Sequence, residues 1–377
     1  LSILFTPGRL GAMEVPNRFV RSATYDGGGA KGGQVSDWQV ELYGALAKGG
    51  VGLVVSGIIN VTPAGKISPL QNSLTDDSTV AGFKRLAEAA HAHGARLAVQ
   101  LFHAGRENFR RMEALGVPCL GPSDLAPGQD PYFEGSCRGM TEQEIAATVE
   151  GFGQAARRAA AAGCDAVQVH GAHAYLLAQF LSPFTNRRVD AWGGELAGRL
   201  RLHLEILRAI RAQVGPDFPV FIKLGLADGF PGGLELAEGL EAARLLAEAG
   251  YDAIEVSQGL RGAGYDQSEF RPKIVKRERE AYFRAWAGQV KARVAVPVIM
   301  VGGLRSLELM EEVVTAGEAD FVALSRPLIR EPGLVASWRA GRAEPARRPT
   351  CISCNQCFEH IRGGNPLRCL VPGAEQA

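Results

Sequence analysis

Eight short runs of apolar residues recur along the chain, at 18–23, 52–57, 96–102, 164–170, 220–224, 253–257, 296–301 and 321–324. Each is the length of a strand rather than of a helix. Between them the apolar positions change to a spacing of three and four, which predicts helices at 80–93, 142–162, 199–214, 234–249 and 306–315. Strands apolar on both faces, each followed by a crossover, belong in a parallel sheet covered by helices. Eight such units closing on themselves form a single (β/α)8 TIM barrel, which a chain of 377 residues accommodates. A doubly wound open sheet is the alternative, but no GxGxxG opens any of the helices. Ahead of the first strand, Pro7, Gly8, Gly11 and Pro16 punctuate an N-terminal extension of short extended pieces. The expected division is a barrel over 1–345 and a cysteine-rich segment over 346–377.

Charge adds mainly exclusions. Forty-one basic residues against 40 acidic ones leave a formal charge of +1, so neither a nucleic-acid face nor a polybasic membrane patch is expected. No apolar run is long enough for a membrane span and no charged-then-apolar leader opens the chain. Four of the seven cysteines crowd the last 27 residues, which is not the spread of a disulfide framework, so a reducing cytoplasm is the expected setting.

Function in such a barrel sits at the carboxyl ends of the strands. Three of those ends are unexpectedly polar, with Gln100, His170 and Lys223 interrupting apolar runs. A lysine buried in a strand needs a partner, because an unpaired polar group costs roughly 2–7 kcal/mol. A carboxylate would satisfy Lys223 alone; three polar strand ends together point to one shared polar ligand. The last two strands run into Val301-Gly302-Gly303 and Leu324-Ser325-Arg326-Pro327. Glycines there would let backbone N–H groups approach an anion that Arg326 clamps, as in barrels that hold a phosphate after strands seven and eight. The densest chemistry lies in the stretch 167–194, where His170, His173 and Tyr175 follow the fourth strand in an HxxHxY arrangement. A single histidine there would read as a core residue. Two neutral imidazole donors can hold one carbonyl oxygen while a phenol gives a proton to the carbon chain beside it.

These residues resemble the old yellow enzyme family of FMN-dependent oxidoreductases. The resemblance runs through Asn17-Arg18, Ser22-Ala23-Thr24, the segment Gln100-Leu101-Phe102-His103-Ala104-Gly105-Arg106, the HGAHAYLLAQFLSPFTNRR block, and the GG and SRP loops. It implies a (β/α)8 barrel with FMN across its mouth. Ala23 and Thr24 would then contact the flavin near its C4 carbonyl and N5, with Gly57 along the same edge and Gln100 on the pyrimidine ring. Lys223 would stand by N1 and the C2 carbonyl, and Gly303, Ser325 and Arg326 would hold the phosphate. His170 and His173 would bind the substrate oxygen, with Tyr175 as proton donor. The implied reaction is ene-reduction: NAD(P)H delivers hydride to the flavin, which passes it to the β-carbon of an α,β-unsaturated carbonyl or related activated alkene. No second nucleotide-binding fold is visible, so the nicotinamide is expected over the flavin itself. Tyr25 departs from relatives that carry a cysteine at that position, so flavin tuning ascribed to that cysteine does not transfer.

Outside the barrel, Cys351, Cys354 and Cys357 form a CxxCxxC run, followed by Cys369. Such runs suit an iron–sulfur cluster, whereas structural zinc more often draws on separated CxxC pairs. The segment resembles the cluster-binding part of 2,4-dienoyl-CoA reductase and trimethylamine dehydrogenase, implying a [4Fe-4S] cluster; Zn2+ and empty thiols stay open. A cluster would call for an external electron donor, and self-association is undetermined. Besides a flavin-free phosphosugar barrel, two other functions compete with ene-reduction. One is oxidative demethylation of a small amine, against which the histidine donors argue. The other is an electron-transfer module carrying FMN and a cluster, in which Tyr175 would have no task.

Overall fold

Eight parallel strands close into a barrel in sequence order: β1 Phe19–Arg21, β2 Leu53–Asn60, β3 Arg96–Phe102, β4 Ala166–Gly171, β5 Val220–Gly225, β6 Ile254–Ser257, β7 Val298–Met300 and β8 Phe321–Leu324. The computed structural model describes residues 2–341 and 348–375, so the expected boundary between 345 and 346 lies outside the described residues. The last strand pairs with the first, Val322 opposite Phe19 and Leu324 opposite Arg21, which completes the ring. All eight predicted strands are present, two with the predicted ends and the others shifted by at most three residues at either end.

The five predicted helices are likewise present, at Val80–His91, Glu142–Ala161, Leu196–Val214, Leu236–Ala249 and Leu307–Thr315, joined by Asp37–Lys48 and Arg284–Lys291. Ser36 and Thr141 start two of them with reciprocal capping boxes to Gln39 and Glu144, satisfying N–H groups that the helix cannot. No helix among the described residues is long and apolar enough to cross a membrane.

Strand alternation sorts the core into two layers. Val54, Leu97, Val99, Val167, Val169, Ile222 and Val256 face outward and pack against the helices. Val20, Leu53, Val55, Ala98, Ala166, Phe221, Ile299 and Phe321 fill the barrel interior, together with Leu10, Met13 and Val15. Those last three come from an antiparallel hairpin, Gly8–Leu10 with Met13–Val15, which stops the amino-terminal end of the barrel. Gly11 makes its turn at φ 56°, and a Cβ there would lie 2.8 Å from Asp252 Cγ. Apolar side chains thus plug one end of the ring, leaving the carboxyl end to the polar groups.

Candidate active site

At that carboxyl end the polar strand residues form one hydrogen-bonded chain. Lys223 Nζ lies 3.0 Å from Glu255 Oε1 and donates to Ser22 Oγ at 2.8 Å; Ser22 in turn donates to Glu255 at 2.7 Å. Gln168 Nε2 donates to Glu255 Oε2, also at 2.7 Å, and Gln100 Nε2 to Gln168 Oε1 at 2.6 Å. Lys223 has the carboxylate that a buried strand lysine requires, and both side chains are nearly inaccessible. Sequence reasoning missed Glu255: a single acidic residue inside an apolar strand carries no signal until the register places it beside Lys223.

Of the residues assigned to the flavin by resemblance, Ala23, Thr24, Gly57, Gln100, Lys223 and Ser325 gather around this chain, whereas Arg326 turns toward the cysteine tail. Thr24 Oγ1 and Ser325 Oγ, 301 positions apart, are 2.8 Å from each other. Ala23 packs at the edge of the interior cluster. The β2 ladder slips between Val55 and Ile58, which frees Ser56 Oγ to accept from Gln100 N and leaves Gly57 against Thr24; a Cβ on Gly57 would lie 3.0 Å from Thr24 O. Gly302 and Gly303 have φ of 120° and 72°, turning the backbone just after β7 against Tyr282. Arg326 Nη1 donates to Arg271 O at 2.9 Å and to Asn355 Oδ1 at 2.5 Å. Hydroxyls, amides, an ammonium and a glycine turn thus line one mouth, the donor set that a polar ring system with a phosphate tail requires, so these residues fit FMN.

His170, next to the last residue of β4, is in register with Lys223. Its ring stands at 84° to that of His173, with centroids 4.9 Å apart, and at 86° to Tyr175 at 5.0 Å. His170 Nδ1 accepts the Ala172 N–H at 3.3 Å, which leaves the ring proton on Nε2. His173 Nε2 lies 2.7 Å from Ser257 Oγ, and its Nδ1 faces Glu269 at 3.8 Å, too far for a hydrogen bond. The carboxylate on the Nδ1 side favours the tautomer protonated at Nδ1, in which Nε2 accepts from the Ser257 hydroxyl. With these tautomers each ring keeps one N–H outside the hydrogen bonds described. His173 and Ala174 take up the left-handed region, φ 59° and 65°, held by His173 N→Gln258 O and Ala174 N→Gly259 O. Such backbone costs an ordinary residue roughly 1–2 kcal/mol.

Burial, reinforced for His170 by His173 and for both by Lys223, holds the two imidazoles well below their ordinary pKa, so they are neutral near pH 7. Burial alone brings His103 to about 4, and it dominates at His203, brought to about 3. In the unfolded chain all four would protonate near pH ~6.5. Their contribution is therefore complete above that pH and lost as pH falls toward 4, because the unfolded state takes up protons the folded state refuses. At pH ~5 a group like His103 would destabilise the fold by about 2 kcal/mol. Urea unfolding at pH 7 and pH 5 should show a loss of several kcal/mol, and an unchanged midpoint would mean these histidines carry charge in the folded protein.

Three charged residues that sequence reasoning did not assign stand over the His/Tyr group. Arg261 forms a two-pronged pair with Glu269, Nη2 at 2.7 Å and Nε at 3.0 Å, and reaches Glu107 at 3.6 Å. Its guanidinium carbon lies 5.6 Å from the Tyr175 ring centre. Tyr25 packs against the same Ile58 and Phe102 cluster as Ile67 and Tyr175, so the position that departs from cysteine-bearing relatives borders the phenol of Tyr175.

The four tail cysteines line one small cavity of about 20 Å³ with Arg326, Arg330 and Asn355. Arg330 Nη1 lies 3.5 Å from Cys369 Sγ. Burial raises the Cys351 thiol and pushes Cys357 up to about 11. The sulfurs do not converge: among the described residues no three His, Cys, Asp or Glu side chains stand together as a ready metal site. The donor set itself, four soft sulfurs flanked by arginine N–H groups, fits a thiolate-bound metal or cluster.

Residues 3–344 match the family described as NADH:flavin oxidoreductase / NADH oxidase. The chain is 37% identical to an NADH oxidase of Thermoanaerobacter brockii, over 98% of this chain and 55% of that protein. A 2-naphthoyl-CoA reductase solved with 2-naphthoyl-CoA superposes with a TM-score of 0.88 at 30% identity, covering 97% of this chain and 56% of that one. Morphinone reductase in complex with tetrahydroNAD superposes with a TM-score of 0.76 at 28% identity, over 93% of both chains. The chain thus spans about half the length of the first two.

Proposed function

Since the chain belongs to the NADH:flavin oxidoreductase / NADH oxidase family, the old yellow enzymes, we propose that it is an FMN-dependent ene-reductase, drawing on NAD(P)H to reduce an activated alkene. The observation that carries this is the His170–His173 pair: two neutral rings at right angles, each with one N–H left to donate, beside a phenol. Such a site grips a carbonyl or nitro oxygen and pulls electron density toward it. The two N–H donors themselves offer no acceptor to a cationic amine. The names of two of the three similar proteins, both reductases, agree with this reading.

Ala23, Thr24, Gly57, Gln100, Lys223, Gly303, Ser325 and Arg326 would hold FMN, which when bound carries hydride from NAD(P)H to the alkene. Lys223, fixed by Glu255, brings positive charge to the barrel mouth without an unpaired ion beneath it. His170 and His173 orient the substrate oxygen, and Tyr175 supplies the proton to its α-carbon. Cys351, Cys354, Cys357 and Cys369, in a segment that we set apart from the barrel at 345/346, would hold a [4Fe-4S] cluster, a one-electron relay beside Arg326.

An anaerobic visible spectrum of the purified protein, with iron, zinc and acid-labile sulfide assayed on the same sample, tests both assignments. Flavin bands that bleach with NAD(P)H and return on adding 2-cyclohexenone are expected, with iron and sulfide in matching amounts. A colourless, fully folded protein would overturn the flavin reading; zinc or no metal would overturn the cluster.

A further inference from the structure

A general acid works only as well as its conjugate base is tolerated. Tyr175, half-buried among Phe102, Ile58 and Tyr25, is a poor acid on desolvation alone, which raises its pKa. Around the phenol stand Arg261 and Glu269 from the loop after β6, Glu107 from the turn after β3, His170 and His173 at the end of β4, and Tyr25 after β1. Arg261 is the cation of this set, its guanidinium carbon over the Tyr175 ring, and its charge favours the phenolate while Glu269 and Glu107 oppose it. It is held in place from both sides, by the two-pronged pair with Glu269 and by Glu107. The loop that carries it is tied down as well, with Leu260 N donating to Asp228 Oδ1 at 2.6 Å and Gly229 N to Leu260 O at 2.8 Å.

We propose that Arg261 is a positioning residue for proton transfer, its guanidinium, braced by Glu269, stabilising the phenolate that Tyr175 leaves behind. The step balances: hydride derived from NAD(P)H forms the β-carbon C–H bond, the Tyr175 O–H bond breaks, and its proton forms the α-carbon C–H bond. The phenolate then regains a proton from water before the next turnover. Glu269 also faces His173 at 3.8 Å, so one carboxylate borders both the oxygen-binding and the proton-donating sides of the site. This inference rests on the ene-reductase reading.

The test is the pH profile, between pH 6 and 11, of flavin reoxidation by 2-cyclohexenone in the FMN-loaded, pre-reduced enzyme. The rate falls on the alkaline side as Tyr175 loses its proton before reaction. Removing the cation makes the phenol a weaker acid, so Arg261→Gln should lower the plateau roughly 10- to 100-fold, part of the ~10²–10⁴ range of general-acid effects, and move the alkaline limb to higher pH. Arg261→Lys, which keeps the charge, should bring the limb back toward its original position. A lower plateau with the limb unmoved in both variants would assign Arg261 a merely structural role and overturn the proposal. A wild-type enzyme that 2-cyclohexenone does not reoxidise would instead sink the reductase reading beneath it.

Discussion

Tyr175→Phe is expected to slow alkene-driven reoxidation of the flavin by about 10²–10⁴-fold while leaving flavin reduction by NAD(P)H within a few-fold of wild type. The substitution removes one hydroxyl and little else. The ring stays edge-on to Phe102, with centroids now 4.5 Å apart, and the His170–His173 donors are untouched. Substrate should therefore still bind, and the loss should appear in the rate constant of the second half-reaction rather than in saturation. Stopped-flow absorbance of the flavin follows the two half-reactions separately. Equal losses in both would indicate collapse of the site. No loss in either would mean that the phenol has no chemical task, the result an electron-transfer module would give.

The second large effect should come from Lys223→Met. Glu255 is wholly buried, and its two oxygens are satisfied by Lys223, Ser22 and Gln168. Removing the ammonium strands a carboxylate in the barrel, which in comparable buried pairs costs about 3–5 kcal/mol. Urea unfolding should register that loss, together with weaker flavin retention from the same site. Lys223→Met with Glu255→Gln removes both charges and should recover much of the stability but not the flavin. If the double variant were as unstable as the single one, the damage would lie in packing rather than in the orphaned charge.

The barrel was legible because its strands are buried on both faces and so print as unbroken apolar runs, whereas their ends depend on local pairing. Gln100, His170 and Lys223 stood out as polar breaks in those runs, and the structure joins them in one neighbourhood. Glu255 is an equal partner in the same network, yet one glutamate in Ile254–Ser257 reads as an edge residue until β5 and β6 are laid in register. Arg261, Glu269 and Glu107 were illegible for a different reason. They reach the site through loops whose conformation rests on distant ties such as Leu260 to Asp228, and no periodicity encodes those. The cysteine spacing was plain from the chain, but whether four thiols converge on one centre depends on the species they bind, because ligation and deprotonation proceed together.

The pairing of β8 with β1 ties residues about 300 positions apart, Val322 to Phe19 and Leu324 to Arg21. A ribosome releasing this chain exposes β1 long before its second neighbour exists. Until residue 324 has emerged, Phe19–Arg21 keeps one edge unpaired, and the hairpin that stops the base has no complete ring to fill. Closure is consequently a late event of very long sequence separation, the kind that slows folding and leaves a sticky strand edge in the interim. Expression at lower temperature, or with chaperones that shield such edges, should raise the soluble yield more than any substitution at the active site would.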